Sequence, residues 1–385
     1  MQTQAGDPGA FARFDLGRVP SPCFVVDAAK VEANCAVLAD IGARSGATVL
    51  LALKAFSMWA LAPVVMRHLA GTCASGLWEA RLGRNRFGGL VETFAAGYKA
   101  GEIDEIAALS DIVVFNSPAQ AARFGPAARA GGADLGLRIN PEHSEGEVPR
   151  YDPAAPGSRL GWPVSQLRAE HLDGLSGIHM HTLCEQDFAP LRRTWEAVRP
   201  ALAPHFGRLD WINLGGGHHV TRADYDRAAL VALLSEIREE TGCRVYLEPG
   251  EAVALDAGIL VGEVLDTMEN DGPLAILDVS ATCHMPDVIE APYRPALLRE
   301  AEDGPEVRLG GPSCLAGDVI GSYRFGGVPE VGRRVAFLDQ AHYSMVKTTT
   351  FNGVQLPAIA LWDSRTDDLR VLRSFHQSDF EGRLS

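Results

Sequence analysis

The stretch Thr48-Val-Leu-Leu-Ala-Leu-Lys54 is a short apolar run that ends in a lysine. Such a run is typical of a strand buried in a parallel sheet, where a lysine ammonium would be costly to desolvate. Burial lowers the pKa of a lysine, and the neutral amine can then attack an aldehyde. The stretch therefore predicts a buried strand that carries a catalytic amine, Lys54, at its end.

Apolar runs of this kind alternate with helical patterns over the first two thirds of the chain, and two of the predicted helices are 57–70 and 164–170. The runs that we assign to strands are 48–53, 71–74, 91–97, 112–115, 134–139, 174–181, 211–214 and 244–248. Strands that alternate with helices indicate parallel βα units, and eight such units form a (β/α)8 barrel. We therefore predict an α/β fold with a TIM-like barrel over residues 31–262. A doubly wound open sheet is the alternative, because periodicity alone does not distinguish the two folds.

The character of the sequence changes after residue 262. Strand-like runs there are separated by Gly, Pro and Asp turns, which is typical of an all-β domain. We assign residues 263–385 to this C-terminal β domain. A further apolar strand at 20–27 precedes the barrel, so we expect segment 1–30 to join the β domain.

The overall composition argues against several classes of function. The chain has 385 residues and a formal net charge of −14, and its basic residues do not cluster, which argues against a nucleic-acid partner. No apolar run approaches the ~18 residues of a membrane span, and no secretory signal is visible. The seven cysteines contain no CxxC pair and are expected to be reduced thiols. We expect a cytoplasmic protein that binds neither membrane nor nucleic acid.

Two further motifs at predicted strand ends suit a phosphorylated aromatic cofactor. Gly215, Gly216 and Gly217 lie between a strand and a helix, where backbone N–H groups can approach a phosphate closely. Glu248 ends another strand, and a carboxylate there can hold a pyridine nitrogen protonated, which makes the ring an electron sink. Alone, the glycines would indicate a tight turn and the glutamate a salt bridge. Together with Lys54 they indicate a pyridoxal phosphate site.

The stretch His179-Met180-His181 places two imidazoles on one face of a strand, because side chains alternate along it. Both histidines could bind a metal, but no third ligand with suitable spacing stands out, so we predict no metal site. A histidine that stacks on the cofactor ring is the preferred interpretation. A metal-dependent barrel hydrolase built on these two residues is the alternative from a different class.

In this order, the motifs resemble those of the fold-III pyridoxal-phosphate decarboxylases, the group of ornithine and diaminopimelate decarboxylases and alanine racemase. Within that group the chain is similar, over nearly its whole length, to the carboxynorspermidine and carboxyspermidine decarboxylases. The resemblance implies decarboxylation of these substrates to norspermidine and spermidine in polyamine biosynthesis. The stretches that carry it are LALKAFS (51–57), GTCASGLWEARLG (71–83), YDPAAPGSRLGW (151–162), GIHMHTLCE (177–185), LGGGHH (214–219), LEPGEA (247–252), CHMPDVIEAPYRP (283–295), GPSCLAGDVIG (311–321) and FNG (351–353).

The resemblance implies a role for each matching residue of the cofactor site. Lys54 would hold the cofactor covalently, and His181 would stack on its pyridine ring. The glycines 215–217 and Tyr343 would bind the phosphate, while Glu248 would pair with the ring nitrogen.

The resemblance also implies a homodimer with shared active sites. Cys314 would come from the second subunit and act as a proton donor after carbon dioxide leaves. Arg159 and Asp318 match a pair that bridges the two subunits in the family, where its role is to stabilise the dimer.

Two positions depart from the family pattern and bear on the substrate. Glu251 stands where ornithine decarboxylases have a phosphate-binding arginine, so more of the phosphate binding falls on the glycines. Leu315 stands where the ornithine and diaminopimelate enzymes carry a carboxylate, which disfavours both of those substrates. Three residues are candidates for binding the substrate itself: Arg294, for a carboxylate, and Asp287 and Glu185, for a polyamine nitrogen.

Other functions remain open at this point. One is a diaminopimelate or basic amino-acid decarboxylase of the same fold, and another is a catalytically silent homologue that binds the cofactor. An amino-acid racemase is disfavoured because the GPSC motif at 311–314 is typical of the decarboxylase branch.

Overall fold

The computed structural model describes residues 6–146 and 149–385 of the chain. These residues form two compact units, one built from Glu32–Val253 and one from the residues up to Val31 together with Ala254–Ser385. The boundaries that the sequence suggested, at residues 30 and 262, stay a prediction. Within the described residues, no helix is long and apolar enough to cross a membrane.

The strands have the following bounds in chain order: β1 Cys23–Asp27, β2 Thr48–Ala52, β3 Gly71–Ala74, β4 Leu90–Phe94, β5 Ile112–Phe115, β6 Asp134–Asn140, β7 Trp162–Pro163, β8 Gly177–His179, β9 Trp211–Asn213, β10 Arg244–Leu247, β11 Gly258–Glu269, β12 Pro273–Leu277, β13 Glu306–Gly310, β14 Val319–Arg324, β15 Arg334–Leu338, β16 Ala358–Asp363 and β17 Asp368–Arg373.

The α-helices have the following bounds: α1 Ala28–Ser45, α2 Ala62–Val65, α3 Leu77–Leu82, α4 Ile103–Leu109, α5 Pro118–Ala130, α6 Phe188–Leu202, α7 Arg227–Thr241, α8 Glu251–Ala254, α9 Ala281–His284, α10 Asp287–Glu290 and α11 Gln377–Glu381.

Eight parallel strands close into a barrel in the unit that contains Lys54. The strand order is β2, β3, β4, β5, β6, β8, β9 and β10, and β10 pairs with β2 to complete the ring. The predicted (β/α)8 barrel is therefore confirmed, and each of its eight strands overlaps a predicted run. The open-sheet alternative is wrong because an open sheet would leave two unpaired edges.

The interior of the barrel is packed around one large aromatic side chain. Trp211 of β9 is fully buried. A Cβ atom built on Gly136 or Gly177 would lie only 2.3 or 2.0 Å from its indole ring. These two strand glycines therefore make room for the indole. Packed with it are the side chains of Leu50, Ile112, Val114 and Tyr246.

The second unit is a mixed sheet in the strand order β14, β13, β12, β11, β1, β16 and β17, with β15 also paired to β11. The strand β1 pairs antiparallel with β11 and parallel with β16. Its alternate side chains enter different apolar clusters, Phe24 in one and Cys23 with Val25 in the other. Burial on both faces explains why this strand is a continuous apolar run. The predicted C-terminal β domain is confirmed, with three short helices, α9, α10 and α11, added to its strands.

Two predicted helices of the barrel unit are shorter than their sequence patterns suggested. In the run 57–70, the α-helix covers only Ala62–Val65, because the amides of Arg67 and His68 bond three residues back, to the carbonyls of Val64 and Val65 at 3.3 and 3.0 Å. This tighter winding is typical of a 3₁₀ turn. The run 164–170, which begins just after Pro163, forms only two 3₁₀ turns, Val164–Gln166 and Ala169–Leu172.

Candidate active site

The predicted cofactor residues of the barrel unit gather at the carboxyl ends of its strands. Lys54 follows β2, His181 follows β8, the glycines 215–217 follow β9, and Glu248 follows β10. Since parallel strands of a barrel end at the same face, these four sequence segments meet at one mouth.

Lys54 does not lie in the strand, and it is not buried as the sequence suggested. The strand ends at Ala52, and the Lys54 side chain is exposed in the turn that follows. Desolvation by the surrounding barrel atoms still lowers the pKa of its amine, and the Arg138 guanidinium lowers this pKa further. The prediction of a reactive amine therefore rests on the barrel mouth and not on burial within a strand.

The hydrogen bonds of His181 give independent support for a neutral Lys54. The backbone N–H of Gly216 donates to Nδ1 of His181 at 3.0 Å, so this nitrogen carries no proton. The ring proton must then lie on Nε2, which is 3.2 Å from Nζ of Lys54. An Nε2–H group can bond only to a nitrogen with a lone pair, so the lysine is a neutral amine. Burial holds the pKa of His181 well below its usual 6.5, and the Arg138 guanidinium lowers this pKa further.

The three glycines are required by the close approach of neighbouring backbone. A Cβ atom on Gly216 would lie 2.1 Å from the carbonyl oxygen of Glu248, and one on Gly217 would lie 1.9 Å from that of Leu183. Gly215 and Gly217 also have positive φ angles of 72° and 85°. The backbone N–H of Gly217 donates to no acceptor within the described residues, so it is available to a phosphate.

Glu248 is buried and held from two sides. Nδ2 of Asn213 donates to its Oε1 at 2.7 Å, and Nε2 of His179 lies 3.3 Å from its Oε2. Burial alone would raise the pKa of Glu248, but its contact with the His179 imidazole outweighs burial and lowers this pKa below its usual value. Glu248 is therefore an ionised carboxylate that can hold a proton on a nitrogen heterocycle.

Three more residues of the site lie within strands and were missed by the sequence analysis. Glu92 of β4 bonds to Asn213 of β9, and Arg138 of β6 donates to the carbonyl oxygen of His181 at 3.0 Å. The Arg138 guanidinium also lies over the Phe94 ring, 4.5 Å from its centroid, and burial lowers its pKa to about 10. The available signal was a polar residue inside an otherwise apolar barrel strand, because such a side chain must find a partner in the interior.

The geometry argues against a metal centre built on His179 and His181. Both nitrogens of His181 are engaged, by Gly216 and by Lys54. Glu92, His179 and Glu248 do bring potential ligand atoms within 4.8 Å of one another. Between the two carboxyl groups, however, lies the amide nitrogen of Asn213, whose N–H groups face their oxygens.

The predicted proton donor, Cys314, lies on an exposed loop of the β unit. Its backbone N–H and its thiol both donate to Oδ1 of Asn352 at 3.0 Å. Asp318, four residues later, is buried and accepts hydrogen bonds from Ser280 at 2.9 Å and Ser313 at 2.6 Å. Within one chain, Asp318 thus fastens the loop that carries Cys314.

The other predicted residues of the β unit have partners inside it. Arg294 donates to the carbonyl oxygen of Ser322 at 2.8 Å and forms an ion pair with Glu300. Asp287 of α10 accepts from the ammonium of Lys347 at 2.5 Å. The remaining cofactor candidate of this unit, Tyr343, is half-buried with its ring 6.0 Å from that of His342.

Two predicted residues of the barrel unit lie on exposed loops. Glu185, with a φ of 54°, follows β8 four residues after His181. Arg159 is exposed, and its carbonyl oxygen accepts from Asn116 at 2.8 Å. The charge of Arg159 acts on Arg138, and that of Glu185 acts on His219.

Comparison with known proteins decides the family. Residues 23–341 match the family described as "Pyridoxal-dependent decarboxylase, C-terminal sheet domain". The chain belongs to the pyridoxal-dependent decarboxylases. It is 38% identical over 380 residues to carboxynorspermidine/carboxyspermidine decarboxylase of Campylobacter jejuni, covering 95% of this chain and 99% of that protein. It is also 38% identical over 374 residues to carboxyaminopropylagmatine decarboxylase of Synechocystis, covering 96% of each.

A solved structure agrees with this assignment. The carboxynorspermidine decarboxylase of Campylobacter jejuni, complexed with norspermidine, superposes with a TM-score of 0.88 at 37% identity, covering 95% of this chain and all of that one. The predicted enzyme class and the predicted pyridoxal phosphate cofactor of this decarboxylase are confirmed. Its neutral Lys54 amine, its ionised Glu248 and the available Gly217 amide suit that cofactor's aldehyde, ring nitrogen and phosphate. The metal-dependent hydrolase is excluded by the family.

Proposed function

We propose that this decarboxylase removes the α-carboxylate of carboxynorspermidine or carboxyspermidine, yielding norspermidine or spermidine in polyamine biosynthesis. The observation that carries the proposal is the 38% identity, over nearly both full lengths, to a protein of that name. A net charge of −14 agrees with a polycationic substrate.

Pyridoxal phosphate, when bound, supplies an electron sink for the bond that is broken in the substrate. Lys54 would hold it, because its neutral Nζ can attach to an aldehyde. The proton on Nε2 of His181, placed there by the Gly216 amide, keeps that amine oriented within the mouth. Glu248 would hold a proton on the ring nitrogen. The contact with His179 favours the ionised form of the Glu248 carboxyl group.

The remaining site roles are part of the same proposal. The Gly217 amide, with Gly215 and Gly216 shaping the loop, would bind the phosphate, and Tyr343 would add a hydroxyl. The Cys314 thiol would deliver a proton to the α-carbon after carbon dioxide leaves. Support for this last role comes from its exposure and from Asn352, which directs the S–H group.

We further propose a cytoplasmic homodimer in which Cys314 of one subunit completes the site of the other. Its support is the placement of Cys314 on an exposed loop of the β unit, beside the exposed Leu315 and Phe351. Exposed apolar side chains around a functional group suit an interface. Arg159 and Asp318 stay predicted as a bridge between subunits, and Arg294, Asp287 and Glu185 as substrate contacts.

A second candidate substrate is carboxyaminopropylagmatine, because a relative of that name is equally similar at 38% identity. The two candidates differ at the end of the substrate that is remote from the reacting carbon. A guanidinium there would need planar, paired acceptors, whereas a primary ammonium needs only point charges.

The test is a substrate panel with purified enzyme, in which carbon dioxide release gives kcat/KM for each compound. The panel contains carboxynorspermidine, carboxyspermidine, carboxyaminopropylagmatine, diaminopimelate and ornithine, and Lys54→Ala provides the background. We expect the first two compounds to have the highest kcat/KM values. These two values should differ by no more than about 200-fold, since one methylene separates the compounds. A higher kcat/KM for any of the other three compounds would overturn the proposal.

A further inference from the structure

Glu92 is a buried acid whose role the cofactor assignment does not explain. It lies in the middle of β4 with none of its surface exposed. Its Oε1 and Oε2 lie 2.9 and 2.8 Å from Nδ2 of Asn213, and the same nitrogen lies 2.7 Å from Oε1 of Glu248. Two carboxyl groups thus share one amide in the barrel interior.

The orientation of the Asn213 amide is fixed by its other end. Its Oδ1 accepts the backbone N–H of Gly215 at 2.8 Å, so the NH2 end must face the carboxyl groups. An NH2 group has two hydrogens, and three carboxyl oxygens surround it. The amide therefore cannot neutralise two buried negative charges.

Two ionised carboxylates this close repel each other strongly when water is excluded, so one of them retains a proton. Glu248 faces His179 across 3.3 Å, which favours its charged form. The side chain of Glu92 has no cation among its hydrogen-bond partners in the described residues. Burial and then the charge on Glu248 raise the pKa of Glu92 well above its usual value.

The titratable groups around Glu92 are Cys73, Tyr98, His179, Tyr246 and Glu248. Burial lowers the pKa of His179, so its imidazole is neutral near pH 7. Burial raises the pKa values of Cys73, Tyr98 and Tyr246, so these three groups are neutral near pH 7. Glu248 is then the charged member of this set.

We propose that Glu92 is an uncharged carboxylic acid and a positioning residue, which holds Asn213 and through it fixes Glu248 without adding a second charge. The inference rests on the proposed role of Glu248 toward the ring nitrogen. An ionised Glu92 would place a second negative charge next to that of Glu248. With Glu92 neutral, Glu248 is the one carboxylate for the protonated ring nitrogen, and Asn213 holds it in one orientation.

The first test is infrared spectroscopy, since the C=O stretch of a carboxylic acid is separate from the bands of a carboxylate. In enzyme stripped of its cofactor, near pH 7, we expect a carboxylic-acid band that Glu92→Gln removes. The matched control is Glu105→Gln, because Arg81 donates to both Glu105 oxygens at 2.6 and 2.7 Å and lowers the pKa of this exposed carboxyl. Absence of the band in the unmodified enzyme, or its survival in Glu92→Gln, would overturn the inference.

The second test is kinetic, with cofactor-loaded enzyme. Glu92→Ala removes one of the hydrogen-bond partners of Asn213, and the lost orientation of Glu248 should lower kcat about tenfold with little change in KM. Glu92→Gln, which keeps a neutral group of the same shape, should recover most of this loss. Equal loss in Gln and Ala would contradict a neutral Glu92.

The two tests separate this inference from the proposed function. The infrared band is read without cofactor or substrate, so its absence removes the neutral Glu92 and leaves the substrate assignment intact. If instead the substrate panel fails and the band is present, the substrate assignment falls and the neutral Glu92 remains.

Discussion

At the scale of single residues, hydrogen-bond direction decides the chemistry of Lys54. A backbone N–H always donates, so the Gly216 amide leaves His181 with its proton on Nε2, facing the lysine. The lysine can then only accept, which requires a neutral amine. The tautomer of His181 and the charge and nucleophilicity of Lys54 all follow from this one backbone contact.

This leads to a prediction about pH in the cofactor-free enzyme. Because the pKa of Lys54 is lowered from 10.5, its amine is deprotonated over a pH range below 10.5 in which an ordinary lysine remains protonated. Labelling of Lys54 by an amine-reactive reagent should therefore rise at lower pH in the folded enzyme than in the same chain unfolded by denaturant. Quantitative mass spectrometry of the labelled peptides measures both profiles. Coincident profiles would contradict the neutral amine.

Cys314 carries a second prediction at this scale. Replacing it with Ala removes the proposed proton donor but leaves Lys54 and Glu248 in place. We expect continued carbon dioxide release with less than one molecule of decarboxylated amine formed per carbon dioxide. The measurement is the ratio of the two products, and Cys243→Ala is the control because that thiol is buried and bonds to the Leu209 carbonyl at 3.2 Å. An unchanged product ratio in Cys314→Ala would remove its assigned role.

Residues at strand ends could be predicted from the sequence, whereas residues within strands could not. Lys54, His181 and Glu248 follow strands directly, so the barrel topology alone brings them to one mouth. Glu92 and Arg138 join the site only because their side chains point inward. That direction depends on strand register, which the sequence pattern did not define.

At the scale of elements, the loop after β9 depends on glycine for packing as well as for phosphate binding. Gly216 has no positive φ, so its requirement is steric: an added Cβ meets the Glu248 carbonyl at 2.1 Å. Backbone atoms at such a distance must move apart. The loop and the Glu248 strand end are therefore coupled.

We accordingly predict that Gly216→Ala destabilises the enzyme by about 1–3 kcal/mol, as overpacking does, and weakens cofactor binding. The matched control is Gly207→Ala, since a Cβ there meets no atom within 4 Å. Denaturant unfolding and cofactor titration provide the two measurements. Equal stability of the two variants would show that the loop can relax and would contradict the steric account.

Strands were predicted better than helices for a physical reason. Each barrel strand is a buried apolar run bounded by turns, which leaves little choice of conformation. In segment 57–70 the apolar spacing is helical, yet only Ala62–Val65 form an α-helix, preceded by the 3₁₀ turn Trp59–Leu61. The conformation of this segment depends on its local hydrogen bonds and on the connection that it must make to β3. Neither can be read from the spacing of apolar side chains.

At the scale of the whole molecule, the functional residues are divided between two units of the chain. The barrel unit contains Lys54, His181 and Glu248, and the β unit contains Cys314 and Tyr343. The sequence predicted both units because barrel and β-domain patterns differ in periodicity. How the subunits associate depends on the complementarity of their surfaces, which the periodicity of the sequence does not reveal.

The proposed dimer predicts complementation between two inactive variants. Lys54→Ala lacks the amine, and Cys314→Ala lacks the proton donor, so each homodimer should form little product. If the sites are shared, a mixed dimer has one intact site, and random exchange at equal amounts should restore about a quarter of the normal product formation. The assay is product formation after subunits are mixed under mild denaturant and returned to buffer. No recovery, with exchange verified by differently tagged subunits, would show that the sites are not shared.

The central claim, that Lys54 holds pyridoxal phosphate, has one direct test. The chain contains only four lysines, Lys30, Lys54, Lys99 and Lys347, so the attachment point can be assigned without ambiguity. Borohydride reduction of the loaded enzyme, followed by peptide mapping by mass spectrometry, should place the cofactor on Lys54 alone and at one per chain. Attachment to any of the other three lysines, with Lys54 unmodified, would contradict the account.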